Sequence, residues 1–285
     1  MKTITIPLFG GLGNQMFQVA HALDLAQQTG TEPCFVDLSD ISGRVVREWG
    51  LDCFGIPREW KTRQQRLFLK AKIVAAARLQ KLSPKLMSSV LLENNEVQVK
   101  DFYAAPKICS GFWQGERYFN EATQRVKETF TFPDVQNVPP GLDFDSAQQT
   151  VAVHVRRGDY VTDPIAHAYH FVCGENWYLN AIQQMRNSVP DAIFYVFSDD
   201  PDWAKLKFGA LNGVSIVTSG HEAPAWVDMA LMSRCRHFII SNSTYSWWAS
   251  YLGKSDGSVI IAPKSWSKCK PTREKAVYCS DWTLL

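Results

Sequence analysis

Two adjacent arginines, Arg156 and Arg157, follow the apolar run Val151–Val155 and precede Gly158-Asp159-Tyr160. An arginine presents a planar fork of donors that matches phosphate oxygens and stays charged. At the carboxyl end of a strand, that chemistry points to an anionic ligand. Strand alternation puts His154 and Arg156 on one face and Arg157 on the other. The spacing therefore gives Arg156 to a phosphate and Arg157 to a structural pair with Asp159.

A second candidate is Ser241-Asn242-Ser243-Thr244, with Tyr245 and Ser246 following. It lies after the apolar run 237–240 and opens a helical pattern. Hydroxyls and N–H groups at a helix start form a neutral phosphate cradle or, more simply, an N-cap. Trp247 and Trp248 then read as core. Asp228, in the apolar stretch 226–232, is a lone acid. It is either a surface residue of a helix or an acceptor for two N–H groups of a guanine edge.

The third candidate is the loop Gly10-Gly11-Leu12-Gly13-Asn14-Gln15, between an apolar strand pattern at 3–9 and a helix over 14–28. Glycines there let a ligand approach the backbone at a helix N-terminus. Gly11 and Gly13 fit the first two positions of a dinucleotide fingerprint, and Asp37 sits where a ribose-binding acid would, but Met16 stands at the third glycine position. An NAD(P)-dependent oxidoreductase is thus one reading, and a tight structural turn is another. Asp143-Phe-Asp145 has the spacing of a metal clasp but follows a Pro-Pro-Gly stretch rather than a strand. Ser198-Asp199-Asp200 does end a strand and could hold Mg²⁺.

These groups must be positioned by alternating strands and helices. The strand–turn–helix–strand pattern over 3–38 is a βαβ unit, which demands a parallel sheet. The same rhythm returns at 151–155, 177–187, 192–197, 214–217, 225–232, 237–240, 246–252 and 259–262. Between the two regions, residues 133–149 are rich in Pro, Gln and Asp and read as a boundary. At 285 residues, 46% apolar and 20% charged, the chain is a globular protein of about two domains. A net charge of +2 gives no reason to expect nucleic acid. Seven scattered cysteines without a C-x-x-C pair argue for a reducing compartment, the cytoplasm. The segment 61–86 holds eight basic residues and no acidic one, interleaved with apolar residues at helical spacing. It reads as a solvated amphipathic helix or as a peripheral dock on anionic membrane.

Taken together, GGLGNQMFQ (10–18), HVRRGDY (154–160), FSDD (197–200) and SNSTYSWWASYLG (241–253) resemble the bacterial α-1,2-fucosyltransferases, a glycosyltransferase family 11-like group. The resemblance implies an α/β, GT-B-like fold of two Rossmann-like domains facing across a cleft. Residues 1–140 would be the acceptor side and residues 141–285 the GDP-fucose-binding side. It implies inverting transfer from GDP-β-L-fucose to the 2-hydroxyl of a terminal β-galactoside, with neither cofactor nor metal. By resemblance Arg156 holds the pyrophosphate, His154 lines the same site, and Asn14 lies near the reacting centre. Asp159 joins that catalytic group. Gly11, Gly13, Arg157, Ser198, Asp199, Asn242, Ser243 and Thr244 are donor-binding, and Asp228 reads guanine. No residue is identified as a general base. A nucleotide-sugar-binding protein without turnover remains an alternative.

Overall fold

The computed structural model describes residues 2–42, 48–83, 86–87, 89–93, 106–144, 149–220, 223–268 and 276–285. The chain divides into two α/β units, 1–131 and 132–285. The division falls just ahead of the Pro-rich stretch, before the expected boundary at 140/141.

Unit 1 begins with β1 (Lys2–Leu8), α1 (Leu12–Thr29) and β2 (Thr31–Asp37), the expected βαβ unit. Helix α1 is buried on nearly every side, including Met16, Phe17, Ala20 and Leu25, so it behaves as a core element. Gly30 caps it with a positive φ and its N–H bonds to the Ala26 carbonyl. After the short α2 (Ser39–Ser42), the basic segment forms α3 (Arg63–Leu79). A capping box between Thr62 and Gln65 starts that helix. Strands β3 (Val90–Leu92) and β4 (Ile108–Ser110) complete a parallel sheet of order β2-β1-β4-β3, and α4 (Thr123–Thr129) follows.

Unit 2 holds β5 (Thr150–Val155), α5 (Gly158–Thr162), α6 (Pro164–Tyr169), α7 (Glu175–Ser188), β6 (Ile193–Ser198), α8 (Pro201–Phe208) and β7 (Val214–Val217). It continues with α9 (Trp226–Ser233), β8 (His237–Ile239), α10 (Thr244–Gly253), β9 (Ile260–Ala262) and β10 (Thr283–Leu284). The sheet order is β10-β9-β8-β5-β6-β7, and every pairing is parallel. The chain starts at the centre, steps outward to β7, then returns to the other side of β5. That is the order of a nucleotide-binding sheet, and it creates a crevice where the direction reverses, between β5 and β8. Strand β5 is buried on both faces, as a central parallel strand must be. Val151, Val153, Phe194, Val196, Ile239 and Ile261 form the core with Tyr178 and Met185 of α7. Trp247 and Trp248 are fully buried in α10, as their setting in the sequence suggests, and the Trp247 indole N–H donates to the Val277 carbonyl at 2.6 Å.

Both sheets are thus parallel, as the fold-class expectation requires. In unit 1 the reversal lies between β1 and β4.

Candidate active site

In unit 2 the two motif loops leave the carboxyl ends of β5 and β8, on either side of the crevice. His154 spans it. The residue is 6% exposed, and its Nδ1 lies 2.9 Å from Ser241 Oγ. Burial, helped by the Arg156 charge, lowers its pKa to about 3. The imidazole is therefore neutral near pH 7, and Tyr178 fixes the strand below by donating to the His154 carbonyl.

Arg156 is held by two carboxylates. Its Nη2 is 2.5 Å from Asp159 Oδ1 and its Nη1 2.8 Å from Asp199 Oδ2. Burial works against its charge, but Asp199 and Asp159 outweigh it and raise the pKa. The guanidinium also lies 5.2 Å from the Tyr160 ring centre. Arg157 turns elsewhere. Its Nε donates to Asp200 Oδ2 at 3.1 Å, its backbone N–H to Asp199 Oδ1 at 2.8 Å, and its guanidinium covers the Trp203 ring at 4.1 Å. The expected pair of Arg157 with Asp159 is therefore wrong: Asp159 belongs to Arg156. Strand alternation ends at Val155, because the chain turns at Arg157, the N-cap residue of α5, and brings Asp159 of the first helical turn back to Arg156. Gly158 is required by close approach, since a Cβ there would lie 2.5 Å from Asp199 Oδ2.

The second loop ends in Ser243, the N-cap of α10, whose side chain accepts from the Tyr245 N–H at 3.3 Å. Thr244 is the first helical residue, so the free N–H groups of this ten-residue helix open at the crevice. Asn242 plays a different part. Its amide donates to the Phe171 carbonyl at 2.7 Å and the Trp266 carbonyl at 3.0 Å, so it anchors the turn from below. Ser198 likewise donates to the Val155 carbonyl and accepts from the Asp200 N–H. Asp228 sits on α9, half-buried, and accepts from Ser219 Oγ; burial raises its pKa.

In unit 1 the Gly10 loop leaves the carboxyl end of β1. Gly10 has φ +83°, and a Cβ there would lie 2.9 Å from Asn14 Nδ2. Gly11 is the N-cap residue of α1 and Gly13 lies in its first turn. Asn14 Oδ1 accepts from Gln114 Nε2 at 2.8 Å, across the reversal between β1 and β4. Gln18 clamps Phe9 through both its N–H and its carbonyl. His21, one turn further, is buried, stacks on Trp113 at 4.0 Å, and has its pKa lowered to about 4 by burial.

The model of glycosyl transferase family 11 matches residues 92–285. The O-antigen biosynthesis glycosyltransferase WbnK of Escherichia coli is 30% identical over 282 residues, covering 91% of this chain and 93% of that protein. An α-1,2-colitosyltransferase of the same organism is 29% identical over 276 residues, covering 93% of each. Human galactoside α-(1,2)-fucosyltransferase 1 is 30% identical over 158 residues, covering 52% of this chain and 43% of that protein. This chain belongs to glycosyl transferase family 11.

The family 11 assignment makes the chain a glycosyltransferase and closes the oxidoreductase reading. Physics agrees: Met16, at the third fingerprint position, is fully buried in the core. Asp37 is not free for a ribose, because it pairs with Arg58 at 2.5 Å and accepts the Ser39 N–H at 2.8 Å. The carboxylates of Asp199 and Asp200 are likewise taken up by Arg156 and Arg157. Among the described residues, no group of three or more His, Cys, Asp or Glu side chains is placed to hold a metal ion. Asp143 is tied through its backbone to Tyr195, and Asp145 lies outside the described residues. A wider cavity of about 720 Å³ opens at the amino ends of β5, β6 and β8, beside Gln149, Arg236 and His237. It touches none of the motif residues and lies at the edge of the sheet opposite the crevice.

Three participants were missed by sequence reasoning. Gln114 stands a hundred residues from its partner Asn14 and carries no motif of its own. Trp203, under Arg157, and Ser219, on Asp228, are ordinary residues until the fold brings them in. An aromatic one turn after Asp199-Asp200 was the only available signal. No helix among the described residues is long and apolar enough to cross a membrane.

Proposed function

We propose that this enzyme transfers L-fucose from GDP-β-L-fucose to the 2-hydroxyl of a terminal β-galactoside, with inversion and without a metal. The observation that carries the reading is the β5/β8 crevice of a sheet with nucleotide-binding strand order, where the Arg156 loop follows β5 and the amino end of α10 follows β8. Cleaving the fucosyl–phosphate bond puts negative charge on the departing GDP. Fixed donors aimed at that charge stabilise it without reorganising. Arg156 grips the diphosphate, and the N–H groups at Ser243 and Thr244 complete the cradle. Neutral His154 holds Ser241 and excludes a competing charge. Asp228 accepts the guanine amino group. Unit 1 serves the acceptor, with Asn14 and Gln114 orienting a hydroxyl. The relatives' names support donor and linkage class.

The test is GDP release from GDP-fucose with lactose, in EDTA and then in Mg²⁺, with the product linkage read by NMR. Lactose-dependent release in EDTA, with fucose on O2 of galactose, is the expected result. Release that requires Mg²⁺ overturns the metal-free mechanism, and no turnover with any β-galactoside overturns the acceptor. A second reading follows from the colitosyltransferase relative: a GDP-colitose donor, which lacks the 3-hydroxyl of fucose. Competition between the two donors at equal concentration decides it.

We also propose that α3 rests on an anionic bilayer. Only Leu69 and Ala76 of this helix are buried, while Leu67, Phe68, Val74 and Leu79 are exposed beside Arg63, Lys72 and Arg78. With no acid in 61–86, a second copy of this face would repel, whereas anionic headgroups complement it. Lys85 lies outside the described residues. Sedimentation with phosphatidylglycerol vesicles but not phosphatidylcholine vesicles, lost on Phe68→Glu, is expected. Equal partition to both, to neither, or dimerisation through this face overturns it.

A further inference from the structure

Tyr160 closes the motif HVRRGDY, yet the proposed donor site leaves it without a task. Its surroundings give it one. The side chain is buried, and its hydroxyl donates to the Asn242 carbonyl at 3.3 Å. One residue therefore joins the turn after β5 to the loop after β8. The Arg156 guanidinium lies over its ring, 5.2 Å from the centre. The same ring carries a further layer. The His170 imidazole stacks on it at 4.1 Å, with only 2° between the two planes.

The backbone holds His170 in that place. It is the C-cap residue of α6, and its N–H donates to the Ala166 carbonyl at 2.8 Å. It also forms an antiparallel bridge with Ser267. The Lys268 N–H and the Ser267 hydroxyl both donate to the carbonyl of Tyr169, at 2.9 and 3.1 Å. On the other side, the Asn242 amide donates to the Phe171 carbonyl at 2.7 Å. His167 Nδ1 donates to the Tyr160 carbonyl at 2.9 Å and so ties α6 back to the motif. The chain is thus anchored on both sides of His170.

Two carboxylates grip the edge of the Arg156 guanidinium, but an edge-on grip leaves a planar group free to tilt. A flat ring against its face removes that freedom. A ring that could itself tilt would fix nothing, and stacking on His170 fixes the ring. Burial pushes the His170 pKa down; Arg156 and Lys268 act in the same direction, and Asp159 opposes them. The neutral imidazole lies flat on Tyr160 without placing a second cation beside Arg156.

We propose that His170 is a positioning residue for the donor: stacked on Tyr160, it sets the plane of the Arg156 guanidinium and so its grip on a diphosphate. This rests on the assignment of the β5/β8 crevice to GDP-fucose.

The test measures GDP Kd by calorimetry on the full chain, then donor and acceptor KM with GDP-fucose and lactose. His170→Ala is expected to raise GDP Kd and donor KM about three- to tenfold, the worth of one aromatic stack, with acceptor KM unchanged. His170→Phe, which keeps a flat ring on Tyr160, is expected to recover the loss. The deciding comparison is made in an Arg156→Ala background. There His170→Ala should change GDP Kd by less than about twofold, because its effect passes through the guanidinium. A residue that served folding alone would lower Tm and leave the GDP Kd of the folded molecules where it was. Should His170→Ala not fold, Tyr160→Leu removes the middle layer and is read by the same comparison. An unchanged GDP Kd, or an equal loss with and without Arg156, overturns the proposal and leaves the donor assignment standing. No GDP binding by the unaltered chain overturns the donor assignment, and the proposal with it.

Discussion

The two units solve the same topological problem with opposite chemistry. Each places its first strand in the middle of a parallel sheet and opens a crevice where the strand order reverses. In unit 1 the crevice is bridged by two neutral amides, Asn14 and Gln114. In unit 2 the loop beside it carries Arg156, held by Asp159 and Asp199, while Arg157 turns away to Asp200 and Trp203. The sheet supplies only the place, and the loop residues decide what is held there. Amides both donate and accept, which suits a hydroxyl. Guanidinium groups only donate, which suits a diphosphate.

The contrast can be broken most sharply at Arg156. Arg156→Ala is expected to lower turnover by about 10²–10³-fold, the usual effect of deleting one charge-stabilising donor, while the far-UV CD spectrum is retained. Near-normal turnover would remove the charged crevice from the chemistry. Asp228→Asn should weaken GDP about tenfold and inosine diphosphate, which keeps the N1–H but lacks the amino group, by clearly less in a competition assay. Equal losses for both would mean that Asp228 holds α9 rather than a base. In unit 1, Gln114→Ala should reduce kcat/KM for the acceptor about fivefold with no change in GDP affinity. A parallel loss of GDP binding would erase the distinction between the units.

The smallest effect concerns stability in acid. His154 and His21, one in each unit, have folded pKa values lowered to about 3 and about 4. Each favours the neutral form, so its contribution is full above the unfolded value near 6.5. It is lost as pH falls toward the folded value, because the unfolded chain takes the proton first. The Tm should therefore decline between about pH 6.5 and 4. The decline should be shallower in His21→Gln, with pH-independent losses from packing read separately at pH 8.

Unit 2 is largely legible because β5 and β6, six residues each, show their apolar runs, and because its polar motifs begin where the runs 151–155, 192–197 and 237–240 end. Val214–Val217 appears in the structure with the limits read from the sequence. In unit 1 the βαβ start and the basic helix α3 are legible, and the later strands are not. Strands β3 and β4 are three residues each, too short to carry a period, and they lie far from the strands they join. The pairing of Arg156 with Asp159 was misjudged because an alternation rule was carried past the end of its strand. At Arg157 the backbone is already φ −133°, ψ −61°. The amide crevice was invisible for a different reason: a hydrogen bond between residues a hundred apart leaves no local pattern.

The two carboxylates on Arg156 also bear on how the reaction ends. A diphosphate at this guanidinium meets carboxylate oxygens already 2.5 and 2.8 Å away. The guanidinium has five N–H groups, so the two carboxylates need not leave when an anion arrives. On the proposed donor they stay beside the nucleotide as competing anions, and the grip on the leaving group is weaker than that of a bare cation.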